Sequence, residues 1–362
     1  MKTGLSPRGK TLKELAEHLD VSITTVSRAL ADHPKIALKT RQRVAEAALR
    51  YGYVPNVAAR QLVSGRSGFV GLVLPVRGPN FVDSYVGEFV TGLGEGLVEH
   101  GMDLFLATAP TGHTELSVLR HVVESGRADG VVLLRIGEED ERVGYLLERQ
   151  FPFVTHGRIL DGSKAVNWLD ADSEAAFSQA FDLLYDLGHR HFGLVSITER
   201  MTFRHSRERG LRLAIERRGD PTVRLDIVSA PRFDRMATLA AVNQLVHAKD
   251  RPTAIIGLFD ELALTVLDQA LRAGLSVPGD LSVVGFDNIT ASAYAPPGLT
   301  TFETSTRLAG RQIGAMLIEV IEGRNTAPLT KLITPTLVSR ASHGQAPKTK
   351  RQSTKQQREK SP

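Results

Sequence analysis

Four side chains in one short stretch have the chemistry that contacts with double-stranded DNA require. Residues 21–30 read Val-Ser-Ile-Thr-Thr-Val-Ser-Arg-Ala-Leu, and β-branched or hydroxyl-bearing residues of this kind are weak helix formers. The spacing still predicts a short helix over residues 23–30, whose exposed face carries Thr24, Thr25, Ser27 and Arg28. Short hydroxyls can reach phosphate oxygens, and an arginine can donate two hydrogen bonds to one guanine. The face is therefore suited to lie flush in the major groove.

Two stronger helices flank this stretch and are expected to support it. Thr11 and Glu14 have the spacing of a capping box at the start of a helix that reaches Leu19, and Ser22 can cap the weak helix. A third helix is predicted over residues 39–51. Three helices at this spacing indicate a helix-turn-helix unit, although spacing alone leaves a small structural bundle open as the alternative.

The charge of the chain divides unevenly along its length. Residues 1–66 hold 12 Lys and Arg against 5 Asp and Glu, a net charge of +7, and residues 342–362 hold 6 against 1, a net charge of +5. Residues 67–341 hold 27 against 34, a net charge of −7. A basic head and an acidic body indicate a polyanion as the partner of the head. Charge alone leaves a solvated basic surface open as the alternative.

Composition excludes several other functions. The chain has 362 residues, 42% of them hydrophobic, and no cysteine, so it can form about two to three domains but no disulfide, thiolate metal site or cysteine nucleophile. The N-terminus lacks the apolar stretch of a secretory signal, and no window approaches the ~18 continuous apolar residues of a membrane span. We therefore expect a cytoplasmic protein without membrane contact. Neither a metal-binding histidine spacing nor a nucleophile elbow occurs, so no catalytic residue, metal or cofactor is expected.

A glycine-rich stretch, Gly92-Leu-Gly-Glu-Gly96, needs a separate interpretation. Its spacing differs from Gly-x-Gly-x-x-Gly, and it lies inside a helical pattern rather than in a turn after a strand. We interpret these glycines as small residues in a helix near a dimer face, not as a dinucleotide-binding loop.

From residue 69 onward, short apolar runs alternate with longer helical patterns. Eight such runs lie between residues 69 and 286, and they are nearly continuous in Val, Leu, Ile and Phe. Runs of this kind predict parallel strands covered on both faces. The segment is too long for one doubly wound sheet with short connections, so we predict two α/β subdomains with a cleft between them. Ligands bind such sheets beyond the carboxyl ends of the strands.

Three segments of the head resemble the DNA-binding head of the lactose-repressor family of bacterial transcription regulators. They are residues 12–30 (LKELAEHLDVSITTVSRAL), residues 39–44 (KTRQRV) and residues 51–62 (YGYVPNVAARQL). The resemblance implies base-reading positions at Ile23, Thr24 and Arg28, and phosphate contacts from Thr25 and Ser27. Ala31 departs from the family pattern, which usually has asparagine there, so a contact or cap supplied by that residue is expected to be missing.

Residues 55–62 form a second segment that is predicted to bind DNA. Asn56 is a good N-cap, but a helix of fewer than ~12 residues is marginal alone in water. By the same resemblance this segment is a hinge helix that pairs with its twin in a homodimer. Ala59 would allow close approach of the two helices, and Leu62 would wedge between base pairs in the minor groove. The alternative is an ordinary linker helix between domains.

The body continues the resemblance to about residue 340. Residues 187–195, 207–211, 274–288 and 299–302 look like the family's effector-binding body, which is similar in fold to periplasmic sugar-binding proteins. The candidate effector contacts are polar residues and two aromatic rings: Asn80, Phe81, His156, Arg158, Asp172, Arg207, Phe233, Asp260 and Asp287. Carboxylates accept hydrogen bonds from sugar hydroxyls, and arginines donate them. For each polar candidate, a surface charge or a helix cap is the alternative.

These features predict an all-α helix-turn-helix head and an α/β body of two doubly wound, parallel-sheet subdomains of periplasmic-binding-protein type. The predicted limits are 1–54 for the head, 55–66 for the hinge helix and linker, 67–341 for the body and 342–362 for a disordered basic tail. Within the body, subdomain one spans about 67–168 and 301–327, and subdomain two spans about 169–300 and 328–341.

The predicted function is a homodimeric transcription regulator, by default a repressor, that binds a double-stranded DNA operator and responds to a small-molecule effector. A carbohydrate is the default effector, with a purine or a phosphorylated metabolite as the alternatives. Phe259-Asp260 stands where the family commonly has Asn-Asp, so we expect a larger or differently shaped effector. Two alternatives stay open. One is a cytoplasmic or exported sugar-binding protein without a regulatory role, and the other is an α/β enzyme, for which we find neither a catalytic pair nor a phosphate loop.

Overall fold

The computed structural model of the chain describes residues 11–30, 33–53, 65–76, 83–162 and 164–348. Contacts within the chain divide it into two units, Met1–Ser67 and Gly68–Pro362, which we call the head and the body. Five of the predicted site residues lie outside the described residues: Asn56, Ala59, Leu62, Asn80 and Phe81.

The described part of the head consists of α1 (Leu12–Leu19), α2 (Ile23–Leu30) and α3 (Leu38–Tyr51). The capping box of α1 is confirmed, since Glu14 N donates to Thr11 Oγ1 at 3.2 Å and Thr11 N donates to the Glu14 carboxylate at 2.7 Å. Ser22 Oγ accepts a hydrogen bond from Thr25 N at 3.0 Å, which caps α2 as predicted. The limits of α2 agree with the prediction, and α3 begins one residue earlier than predicted.

The weak helix α2 is held by a core that it shares with its neighbours. The buried residues of this core come from all three helices: Leu15, Ala16, Leu19, Val26, Ala29, Val44 and Ala48. Val26 is fully buried, whereas Thr24, Ser27 and Arg28 are exposed. An eight-residue helix of weak helix formers is marginal by itself, so its stability comes from this packing.

Strands and helices alternate in the described part of the body. The strands are β1 (Phe69–Pro75), β2 (Asp103–Ala109), β3 (Gly130–Leu134), β4 (Phe153–His156), β5 (Trp168–Ala171), β6 (His191–Ile197), β7 (Arg224–Ala230), β8 (Ala254–Gly257), β9 (Ser282–Val284), β10 (Thr301–Glu303), β11 (Thr330–Ile333) and β12 (Thr336–Val338). The helices are α4 (Ser84–Val98), α5 (Glu115–Glu124), α6 (Glu141–Glu148), α7 (Ser173–Asp186), α8 (Thr202–Arg218), α9 (Arg235–Val246), α10 (Asp260–Arg272), α11 (Thr290–Tyr294) and α12 (Thr306–Ile321). Each of the eight predicted apolar runs corresponds to a strand, whereas β5, β10, β11 and β12 have no counterpart among those runs.

Two parallel sheets organise the body, and the predicted fold class is confirmed. The first sheet has the strand order β11-β5-β4-β3-β1-β2, and the second has the order β7-β6-β8-β9. The pairings within both sheets are parallel. This agrees with strands that are covered on both faces and are therefore apolar along their whole length. In β3, for example, all five residues are buried.

The chain crosses between the two sheets three times. It leaves the first sheet after β5, returns through α12 after β10, and leaves again after β11, where β12 pairs antiparallel with β10. The crossings therefore follow residues 171, 303 and 333, a few residues later than the approximate limits inferred from the sequence. The difference arises because β5 (WLDA) and β11 (TKLI) are four-residue strands of mixed composition, which carry no apolar run.

The glycines at 92 and 96 allow α4 and α12 of the same chain to touch along their main chains. A Cβ added at Gly92 would lie 2.7 Å from the Arg307 carbonyl carbon and closer still to its oxygen, and one at Gly96 would overlap the Arg311 carbonyl. Gly310 of α12 returns the contact, because a Cβ there would lie 2.8 Å from Leu93 N. The glycine-rich stretch thus serves an intrachain helix contact.

The predicted disorder of the tail is wrong for residues 342–348. Ser342 is buried, and its Oγ donates to Val283 O at 2.6 Å. His189 is also buried, and its Nε2 donates to Gly344 O at 3.0 Å. Composition alone indicated a polar, aperiodic tail, but these short polar groups find partners on the second sheet. Residues 349–362 lie outside the described residues.

Candidate functional site

A cavity of about 70 Å³ lies between the two sheets, beyond the carboxyl ends of their strands. His156 ends β4 and Asp170 lies near the end of β5, while Phe259 and Phe286 follow β8 and β9 of the second sheet. Parallel strands bring their carboxyl ends to one edge, which is where ligands of such sheets bind. Helices and loops add further lining residues: Tyr85, Arg135, Ser173, Thr202, Phe203, Arg207, Arg232 and Asp287.

Arg207 and Asp287 form the charged centre of this cavity. Arg207 Nη2 lies 3.6 Å from Asp287 Oδ1, and both side chains are about nine-tenths buried. The Arg207 guanidinium carbon also lies 3.9 Å from the centre of the Phe286 ring. Burial raises the pKa of Asp287 to about 8, although Arg207 acts in the opposite direction. Much of this carboxyl is therefore protonated at neutral pH, so it can both donate and accept hydrogen bonds.

Tyr85 and His156 add neutral polar groups on the side of the first sheet. Tyr85 Oη lies 3.3 Å from His156 Nε2, and the His156 ring packs edge-on against Phe89 at 5.1 Å. Burial lowers the pKa of His156 and raises the pKa of Tyr85, so both side chains are neutral at pH 7. They can exchange hydrogen bonds with a ligand without adding charge.

Asp83 joins two arginines that come from opposite sides of the cleft. Its Oδ1 accepts from Val86 N at 2.9 Å and caps α4, while its Oδ2 accepts from Arg135 Nη2 at 2.5 Å and from Arg232 Nη2 at 3.2 Å. Arg135 follows a strand of the first sheet, and Arg232 follows a strand of the second. We call this group the Asp83 bridge. Arg135 Nη1 is buried and has no hydrogen-bond partner within the described part of the chain, so it can still donate to a ligand.

A buried ion cluster positions the loop that carries Arg135. Arg142 Nη2 donates to the carbonyl oxygens of Leu134 and Arg135, each at 3.1 Å. Its charge is balanced by Asp140 at 2.7 Å and Glu115 at 2.5 Å. Arg135 itself has a φ of 53°, an uncommon conformation for a non-glycine residue that costs on the order of 1–3 kcal/mol. The cluster therefore holds Arg135 in a conformation that the backbone alone would not favour.

The same loop also makes main-chain contacts with the second subdomain. Thr202 N donates to Ile136 O at 2.9 Å, and Glu138 N donates to Arg200 O at 3.0 Å. Arg200 and Glu138 add an ion pair at 2.8 Å. These contacts and the Asp83 bridge connect the two subdomains across the cleft, outside the three chain crossings.

Three of the seven described effector candidates line the cavity, namely His156, Arg207 and Asp287. Arg158 is not a lining residue but stands behind one, since its Nε donates to Asp170 Oδ2 at 2.9 Å. Phe233 lies outside the cavity and is 40% exposed.

The other two candidates act as structural carboxylates. Asp172 caps α7 by accepting from Ala175 N at 3.1 Å. Asp260 is fully buried, and it accepts hydrogen bonds from Ser292 Oγ and Thr301 Oγ1, both at 2.6 Å. Every oxygen of Asp260 is thus engaged by the protein. For both residues the structure favours the helix-cap or structural alternative.

Several lining residues were not found from the sequence. The polar ones are Tyr85, Arg135, Asp170, Ser173, Thr202, Arg232 and Thr304. For Arg135 the sequence did offer a signal, because this residue comes directly after the apolar run 130–134, where a strand is predicted to end. Arg232 had no such signal, since its partner Asp83 lies 149 residues away in sequence.

The predicted DNA-reading face of α2 is open in the isolated head. Ile23 is 47% exposed although it is apolar, and Thr24, Ser27 and Arg28 are exposed. The Thr25 hydroxyl lies 2.8 Å from Ser22 Oγ. The face thus combines hydroxyls, one guanidinium and one apolar side chain, which suits contact with phosphates, guanine and a thymine methyl group.

The described residues contain neither a membrane-spanning helix nor a metal-binding cluster. None of the described helices is long and apolar enough to cross a membrane. Nor does the described part of the chain hold a group of three or more His, Asp or Glu side chains that could bind a metal ion.

These features define a class of protein with a helix-turn-helix head and a two-sheet, periplasmic-binding-type body. Residues 11–56 match the model for bacterial regulatory proteins of the lacI family, and residues 181–343 match a periplasmic binding protein-like domain. The chain belongs to the lacI family of DNA-binding transcription regulators, whose members are not enzymes.

Named relatives and solved structures match nearly the whole chain. The regulator AglR of Rhizobium meliloti is 34% identical over 93% of this chain and 95% of its own length, and RafR of Escherichia coli is 33% identical over 90% and 96%. A complex of the regulator CelR with cellobiose has 29% identity and a TM-score of 0.68, over 92% of this chain and 99% of that one. A lac repressor dimer bound to operator shares the fold, with a TM-score of 0.79 at 21% identity over 93% and 100%.

Proposed function

We propose that this protein is a cytoplasmic, homodimeric repressor and that a carbohydrate bound between the two sheets controls its affinity for operator DNA. The observation that carries the proposal is the cavity in which Asp287 faces Arg207 at 3.6 Å. A buried carboxyl with a pKa near 8 beside a guanidinium offers donors and acceptors at close range, which is what a polyhydroxylated ligand needs.

The remaining lining residues support a sugar. Neutral Tyr85 and His156 can exchange hydrogen bonds with hydroxyls, and Phe203, Phe259 and Phe286 present apolar ring surface of the kind that covers the C–H faces of a pyranose. The CelR structure named above contains cellobiose, which supports the same ligand class. We assign Arg207, Asp287, His156 and Asp170 to direct contact with the effector, with Arg158 orienting Asp170.

In the head, we assign base contacts to Ile23, Thr24 and Arg28 and phosphate contacts to Thr25 and Ser27. Asn56, Ala59 and Leu62 keep their proposed role as a hinge helix that wedges the minor groove. Exposure of the α2 face supports this assignment, because the side chains of Ile23, Thr24 and Arg28 are all accessible to base edges in a major groove.

Control of DNA binding follows if the effector changes the closure of the cleft. The Asp83 bridge and the main-chain contacts between residues 136–138 and 200–202 would break if the cleft opened, so a ligand that favours one state shifts the population. If the ligand binds one state of the cleft more tightly than the other by a few kcal/mol, the affinity for operator DNA can change by a large factor.

The test begins with an operator selected from random DNA by the full-length protein. Arg28→Ala should lose about 1–3 kcal/mol of discrimination between this operator and a scrambled site, while Arg50→Ala, an exposed residue at the end of α3, should keep it. The assay is a gel shift at fixed salt. Equal discrimination by both variants would refute the assignment of the α2 face.

The effector is sought by thermal shift of the full chain against a panel of sugars. We expect at least one sugar to raise the melting temperature of the wild type and to leave that of Asp287→Ala unchanged. A panel without effect on the wild type would refute the carbohydrate class.

A further inference from the structure

A second space adjoins the cavity at the entrance of the cleft. This outer groove has a volume of about 770 Å³ and includes Met201, Pro231, Phe233 and Met236 on one side. Phe233 is 40% exposed and Met236 is 74% exposed, so the groove presents apolar surface to solvent. Exposed apolar groups gathered in a concave site are typical of ligand binding.

Among the described residues, two arginines of the Asp83 bridge are shared by the inner cavity and the outer groove. Arg135 and Arg232 line both spaces. The Arg232 guanidinium carbon lies 4.3 Å from the ring centre of Phe259, which faces the inner cavity, and 5.8 Å from that of Phe233, which faces the outer groove. The two ring centres are therefore no more than about 10 Å apart, a distance that two linked pyranose rings can span.

The inner cavity is smaller than an ordinary small-molecule pocket. Its volume of about 70 Å³ is well below the ~300–1,000 Å³ of ordinary small-molecule pockets. The outer groove, at about 770 Å³, falls within that range. The two spaces meet at Arg135 and Arg232, so a ligand that extends past the Asp83 bridge enters the larger one.

The bridge has the chemistry to bind the middle of a saccharide chain. Arg135 Nη1 is buried without a hydrogen-bond partner among the described residues, and the contact of Arg232 with Asp83 is the longer of the two, at 3.2 Å against 2.5 Å. Arg232 can therefore turn from Asp83 towards a ligand oxygen while Arg135 keeps its ion pair. Both guanidiniums then donate to hydroxyl or glycosidic oxygens between the two spaces.

We propose that the effector is a linear saccharide of at least two rings, with one ring in the inner cavity, the next in the outer groove against Phe233, and the linkage beside Arg135 and Arg232. This inference rests on the proposed function and specifies its ligand. Phe233 is then a determinant of chain length, whereas Asp287 recognises the inner ring of any bound sugar.

The test measures binding of matched series of glucose and galactose saccharides with one, two and three rings. Isothermal titration uses the full-length wild type, Phe233→Ala, Asp287→Ala and the control Leu271→Ala, which removes a side chain that is 44% exposed and outside the groove. For the saccharide series that binds, we expect the two-ring sugar to bind about tenfold or more tightly than its single ring. Phe233→Ala should abolish that advantage and leave single-ring affinity unchanged. Asp287→Ala should weaken binding of both lengths, and Leu271→Ala should resemble the wild type.

The outcomes separate this inference from the proposed function. Single rings that bind as tightly as longer chains, or a Phe233→Ala variant that weakens every length equally, would overturn the two-ring effector and leave a sugar-controlled regulator intact. Failure of every sugar to bind the folded wild type would overturn both. Circular dichroism of each variant establishes that a loss of binding is not a loss of fold.

Discussion

A methyl group added at Gly92 meets the main chain of the facing helix. The new Cβ would lie 2.7 Å from the Arg307 carbonyl carbon and 3.0 Å from its Cα, whereas carbon atoms in contact prefer about 3.5–4.0 Å. α4 and α12 must therefore separate by roughly 1 Å. Neither main chain can rotate away as a flexible side chain would.

The cost of this separation can be set against an internal control. Overpacking of a well-packed core typically costs about 1–3 kcal/mol, and a clash between two main chains belongs at the upper end of that range. Gly94 lies two residues further along α4, where an added Cβ meets nothing within 4 Å. Both Gly→Ala changes gain the same helix propensity of about 1 kcal/mol. The difference between the two variants thus reports the clash, and we expect about 3 kcal/mol.

The assay is urea unfolding of the full-length chain, followed by circular dichroism. Gly94→Ala should unfold at a higher urea concentration than the wild type, and Gly92→Ala at a lower one. Because Asp83 and Tyr85 stand at the start of α4, Gly92→Ala should also weaken effector binding, and Gly94→Ala should not. If the two variants have the same unfolding midpoint, the close approach of α4 and α12 is refuted.

Two further predictions concern buried charge. Arg142→Met should lower the free energy of unfolding by about 3–5 kcal/mol, because Asp140 and Glu115 lose their shared cation. The control Arg149→Met, which breaks a half-exposed ion pair, should cost less than about 1 kcal/mol in the same urea titration. Similar losses for the two variants would contradict the role of Arg142 in positioning the Arg135 loop. Burial raises the pKa of Asp260 to about 6 from 3.8, so the folded state keeps a proton that the unfolded state has released, and stability should fall by up to about 3 kcal/mol as pH rises from about 4 to about 6. Asp260→Asn should lack this part of the pH dependence. If the free energies of unfolding of the wild type and the variant differ by the same amount at about pH 4 and about pH 6, Asp260 does not keep its proton in the folded state.

The sequence predicts the fold well wherever stability depends on local pattern. The α1 capping box and the limits of α2 follow from residue types within a few positions of each other, and the strands covered on both faces follow from unbroken apolar runs. β5 and β11 were not predicted, because each consists of four residues of mixed polarity. Such a segment becomes a strand only when a neighbouring strand pairs with it.

The site is harder to predict because its geometry is set by distant partners. A carboxylate after a strand can cap a helix, as Asp172 does, or face a cavity, as Asp287 does, and the sequence around the two is not sufficient to separate these outcomes. In the Asp83 bridge, Arg135 lies 52 positions and Arg232 lies 149 positions from Asp83 in sequence. Only the folded body therefore brings these charges together.

The central claim is that occupation of the cleft changes the affinity of the head for DNA. It is tested most directly by titrating a labelled operator with the full-length protein, at fixed salt, with and without a saturating sugar found by thermal shift. We predict that the sugar changes the operator dissociation constant of the wild type by roughly 5-fold or more and leaves that of Asp287→Ala unchanged. An operator affinity that stays the same in the wild type while calorimetry shows the sugar bound would contradict the claim.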